Sequence, residues 1–136
     1  MSKNNGVELH ELDANAILTA DDLVIERVET PEWGGFVHVR GMTGDERDAW
    51  EASLLDAKGK PQMIGIRASM TARCMVTSGG ERLFKDTHAK KLGEKSSAAL
   101  NRVFEVARRL SGLTDDDVEE LEKNSDAAMS GDSGSN

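Results

Sequence analysis

The sequence predicts an α+β fold, mostly helical, with an N-terminal β-hairpin, a second short hairpin and about four to five packed α-helices. Three features lead there. Residues 24–30 are rich in β-branched side chains, and residues 36–42 read as their partner across a turn containing Pro31, Gly34 and Gly35. Thr43 is followed by Glu46 at the spacing of a capping box, which starts a helix. Leu100, Val103, Phe104, Ala107 and Leu110 then recur at the 3.6-residue helical period.

Taken in chain order, residues 1–16 are polar and irregular and are expected to form a flexible N-terminal arm. Thr19 is placed to cap a single turn, with Leu18 and Leu23 meeting across it as a hydrophobic staple. Residues 24–30 and 36–42 pair as a hairpin closed by a turn of about five residues. Along its second strand Val37 and Val39 share the core-facing side, while Phe36, His38 and Arg40 share the other. A helix should run from the Thr43 cap to Ala57, with Trp50, Leu54 and Ala57 in one stripe, and end at the Lys-Gly-Lys-Pro stretch 58–61. A second helix over residues 62–75 puts Ile66, Met70 and Cys74 on one face, with Met63 one turn earlier. Ser78, Gly79 and Gly80 separate two extended pieces within 76–84, a second hairpin. Asp86 is placed to cap a short helix through Leu92. The long helix spans 94–110 and is closed by Gly112. Thr114 caps a last helix whose first turn holds Asp115, Asp116 and Asp117, where the helix dipole favours negative charge. Leu113 and Val118 are spaced as its staple. The Ser/Gly-rich residues 125–136 are expected to be disordered, which leaves a single domain at 17–124.

Composition narrows the function classes. The chain has 136 residues, 38% of them hydrophobic and only 4% aromatic, so one core built from aliphatic side chains and methionine is expected. A net charge of −8 argues against nucleic acid and against an anionic membrane surface as partners. Cys74 is the only cysteine, which rules out an intramolecular disulfide and fits a reducing cytoplasm. The opening residues MSKNNGVELHELDANA lack the apolar core of a signal peptide, and no run approaches the roughly 20 apolar residues of a membrane span.

No chemistry-bearing constellation stands out. His10, His38 and His88 are far apart and sit in no ligand spacing, so neither a metal site nor a cofactor is expected. Cys74 falls on an apolar helical stripe and reads as a buried, inert thiol. The Gly34-Gly35 and Gly79-Gly80 pairs have turn spacing, not phosphate-loop spacing. The acidic run DDDVEELE, residues 115–122, is either a solvated helix with a favoured N-terminus or a docking surface for a basic segment. Its thin stripe of Val118 and Leu121 would dock on its own domain or on a neighbour. Trp33 at the hairpin turn and Phe36 opposite the valines form either a partner anchor or a packing pair, whereas Trp50 belongs to the core. The partner-binding candidates are therefore Trp33, Phe36, Met63, Val118 and Leu121, with no catalytic residue among them.

Two stretches, ILTADDLVIERVETPEWGGFVHVRGMTGDERDAWE and RLFKDTHAKKLGEKSSAALNRVFEVARRLSGLTDDDVEELEKN, give the chain a further character. In their order, and above all in the helix-loop-helix RLSGLTDDDVEEL, the chain resembles the tail assembly chaperones of long-tailed bacteriophages, in their short form. The resemblance implies a non-enzymatic protein that binds the tape measure protein, keeps it soluble and helps the tail tube polymerise around it. It implies the host bacterial cytoplasm as location and absence from the mature virion. A frameshifted longer form that recruits the tail tube protein, and self-association, belong to the same expectation. The alternative is a structural virion protein, such as a head–tail connector or tail tube component. A small enzyme is disfavoured because no His, Cys or carboxylate constellation is present.

Overall fold

The structure is a computed structural model that describes residues 8–61 and 65–123. It is α+β and mostly helical, with a three-stranded antiparallel sheet in the order β1-β2-β3. A short helix α1 (Ala14–Leu18) leads into β1 (Ile25–Thr30) and β2 (Gly35–Arg40). The two strands pair in register from Ile25 opposite Arg40 to Thr30 opposite Gly35. One 3-10 turn, Pro31–Trp33, joins them, and the buried Thr30 hydroxyl donates to the Gly35 carbonyl at 3.0 Å. Strand alternation sends Val28, Thr30, Val37 and Val39 inward and leaves Phe36 exposed on the outer face.

Helix α2 (Gly44–Ser53) starts at the expected capping box: Glu46 N–H donates to Thr43 Oγ1 at 3.0 Å, and Thr43 N–H to Glu46 Oε1 at 2.9 Å. Helix α3 (Ile66–Cys74) runs directly into β3 (Met75–Val76), which pairs with β2 through Val39 opposite Met75. The second hairpin is present as expected, with Val76 bridged to Arg82 and Leu83 N–H donating to the Met75 carbonyl at 3.0 Å. It also extends the first sheet, a pairing with no local sequence signal. After the 3-10 turn Asp86–His88 and the short α4 (Ala89–Leu92), the long α5 (Ser97–Leu110) packs under the hairpin and against α3. A final helix α6 spans residues 115–123.

The core lies between α5, α3 and the inner face of the sheet. Val39, Trp50, Met70, Met75, Val103 and Phe104 are all nearly or wholly excluded from solvent. Trp50 is fully buried and still has a partner for its indole N–H, which donates to Ser69 Oγ at 2.9 Å. Expected residues Leu100 and Ala107 are buried as well.

Several boundaries move, each for a local reason. Thr19 does not start a helix. Asp13 does, by accepting from the Ala16 N–H at 2.8 Å, and Thr19 ends it with its hydroxyl donating to the Asn15 carbonyl. Leu18 is consequently 83% exposed and makes no staple. The segment read as irregular up to residue 16 thus contains the start of α1. Helix α2 stops at Ser53 and leaves Ala57 exposed. Asp56 Oδ1 accepts from the N–H groups of Lys58 and Lys60, folding residues 55–61 into a turn that competes with the helix. Helix α3 begins at Ile66, after the extended Gly65, and the expected start at residues 62–64 lies outside the described residues. Asp86 caps nothing, because its carboxylate is held by Arg73 and Arg82, while Lys85 N–H donates to His88 Nδ1 at 2.9 Å. Helix α5 starts at Ser97, where the Ser96 hydroxyl accepts from the Ala99 N–H.

Candidate docking groove

An apolar groove of about 470 Å³ opens beside the sheet. Five parts of the chain meet there. The hairpin turn supplies Trp33, β2 supplies Val37, and β3 supplies Met75 at the floor. The segment that follows the second hairpin adds Leu83 and Phe84. Leu92 of α4 closes one side, and His88, Lys91 and Lys95 form the lip. Phe84 is set edge-on to the His88 ring, with centroids 5.8 Å apart at 72°. His88 Nδ1 accepts from the Lys85 N–H, so the neutral ring carries its proton on Nε2. Lys91 and Lys95 are exposed, and neither pairs with a carboxylate of the described residues.

The groove exists because two sequence-distant stretches, residues 33–37 and 75–95, each contribute part of its wall. Trp33 is half-buried since the 3-10 turn carries it back towards the core. Leu83 remains 46% exposed because the pairing of Leu83 with Met75 leaves its side chain at the mouth. What the arrangement offers chemically is apolar area with a cationic edge. Its polar lining consists of His88, Lys91 and Lys95, with no carboxylate, thiol or hydroxyl side chain among the lining residues.

The partner-binding candidates from the sequence part company here. Trp33 lines the groove. Phe36 lies on the outer sheet face instead, with the Arg27 guanidinium 3.8 Å from its ring centroid and His38 edge-on at 5.7 Å. Met63 lies outside the described residues. Val118 is buried in the protein's own core and Leu121 packs against it, so α6 docks on its own domain and does not present that stripe to a neighbour. Three of its six acids are also engaged internally: Asp115 with Arg108, Asp117 with Arg47 and Glu122 with Arg67. The groove residues Leu83, Phe84, Lys91 and Lys95 escaped the sequence reading. Their only signal is an apolar pair after a hairpin, followed by two lysines at helical spacing.

The remaining candidates are structural. Cys74 is 1% exposed, and burial pushes its thiol up to about 12, against the weaker opposite pull of the Ser111 hydroxyl and nearby arginines. No group of three or more His, Cys, Asp or Glu side chains gathers as a metal site among the described residues. Among those residues, no helix is long and apolar enough to cross a membrane. The chain matches no protein-family model, no curated protein and no solved structure.

Proposed function

We propose that this chain is a non-enzymatic assembly chaperone of the kind made for long-tailed bacteriophages, which binds the tape measure protein and keeps it soluble until the tail tube polymerises around it. The observation that carries the proposal is the groove, an apolar floor with a two-lysine lip. A long helical partner with one apolar face fits such a surface by laying anchors into it at helical spacing. The resemblance in residues 17–124 supplies the identity of that partner. A chaperone of this kind acts in the host cytoplasm and is absent from the mature particle. The recruitment of the tube protein through a longer, frameshifted form belongs to the same proposal.

Co-expression with fragments of the tape measure protein tests it. The expected outcome is a co-purifying complex and a rise in the soluble fraction of the fragment. Replacing Trp33 and Leu83 with Ser and Asp, respectively, should weaken the complex by about tenfold or more, since central apolar anchors dominate such interfaces. The absence of any complex, or stoichiometric peptides of this chain in purified mature particles, would remove the proposal; the second result would establish a structural virion protein.

A further inference from the structure

Six of the nine large apolar side chains exposed among the described residues lie close together in sequence: Leu9, Leu12, Ile17, Leu18, Val24 and Ile25. Every residue from 8 to 18 is exposed, and none of them lines the groove. A segment that exposes this much apolar surface on an otherwise folded domain signals a docking element. Its charge is one-sided. Glu8, Glu11, Asp13, Asp21 and Asp22 are interrupted by no Lys or Arg before Arg27. The groove is its reciprocal, with an apolar floor, Lys91 and Lys95 at the lip and no acidic side chain in its lining.

We infer that residues 8–18 of one copy dock into the groove of a second copy, with Leu9, Leu12 and Leu18 on the floor and the acids against Lys91 and Lys95. The segment enters the sheet at Ile25, which pairs with Arg40 at the end of the hairpin remote from Trp33. Within its own chain the segment thus leads into the sheet at the opposite end of the hairpin from the Trp33 wall of the groove. Each copy presents one segment and one groove, so the contact is head-to-tail and builds a ring or an open chain of copies. The inference deepens the self-association implied by the resemblance and draws on the same groove as the proposed chaperone role, so a monomeric protein that still binds the tape measure fragment overturns it and leaves that role standing.

Sedimentation velocity on the full-length protein, over a concentration series at low and high salt, tests the inference. Association should rise with concentration and weaken at high salt, because the lysine–carboxylate component is screened. Two variants are informative: Leu9→Ser with Leu12→Ser and Leu18→Ser, and Lys91→Glu with Lys95→Glu. All five side chains are exposed, so both variants should keep the parent thermal melt. Each alone should need at least about tenfold higher concentration to associate. Mixed in equal amounts they should form a heterodimer, since the first retains the groove and the second retains the segment. A wild-type protein that stays monomeric at every concentration overturns the inference, whether or not the segment is protected from hydrogen exchange by its own groove. So does undiminished association of either variant, or a mixture that remains monomeric.

Discussion

A Cβ at Gly41 would run into the carbonyl group of Leu110 at the C-terminal end of α5. The close approach follows from β2 ending over that helix, where Met42 N–H donates to Ser111 Oγ at 3.0 Å. The clash is with backbone and cannot be relieved by a rotamer change. Gly41→Ala should therefore destabilise the fold by about 1–3 kcal/mol, measured by urea unfolding. Glu46 gives a second residue-scale prediction. Burial raises its carboxyl, but the Thr43 N–H and the Arg40 guanidinium outweigh burial and hold it below the ordinary 4.5. A carboxylate whose folded value is depressed contributes stability above its unfolded value and loses it as pH falls through the folded one. The stability gap between wild type and Glu46→Gln should thus be constant from pH 7 down to the region of 4.5 and shrink below it. A pH-independent gap would show that the carboxylate charge plays no part.

Helix α6 illustrates how an element is specified twice. Its start is local: Asp117 N–H donates to Thr114 Oγ1 and Thr114 N–H to Asp117 Oδ2, both at 3.0 Å. The preceding turn is local as well. Gly112 (φ 76°) takes the left-handed conformation, while Leu113 N–H reaches the Arg108 carbonyl and Gly112 N–H that of Arg109. Docking of the helix is tertiary. Leu113 and Val118 enter the core, and Arg47 and Arg67 reach the helix from α2 and α3. Val118→Ala removes about two buried carbons and should cost roughly 1–2 kcal/mol of global stability. A stability equal to wild type would instead mark α6 as a detachable docking arm. The sequence left open whether α6 binds its own domain, because an apolar stripe does not encode what covers it. The buried staple resolves the question.

Across the whole molecule the burial of Cys74 gives a test of cooperativity. The thiol lies where α3 passes into β3, deep in the core, and is held protonated by burial. A thiol reagent at neutral pH should label native protein only through unfolding, so the labelling rate should rise with urea in step with the unfolding equilibrium. Fast labelling in the absence of denaturant would reveal local opening of α3. At this scale, the legible and illegible parts of the molecule separate by sequence distance. Capping at Thr43 and Thr114, strand alternation at Val37 and Val39, and the α5 stripe from Leu100 to Ala107 follow from neighbours within a few residues, and the sequence by itself determined them. The end of α2 departs from the helical stripe because Asp56 Oδ1 accepts from the Lys58 and Lys60 N–H groups and offers the backbone a turn in place of the helix. The union of the two hairpins through β3, the close contact at Gly41 and the groove joining Trp33 to Phe84 and Lys95 were decided only by tertiary structure. Periodicity reports which side of an element is apolar. Which distant element meets that side depends on how the loops bring the pieces together, and no local pattern carries that information.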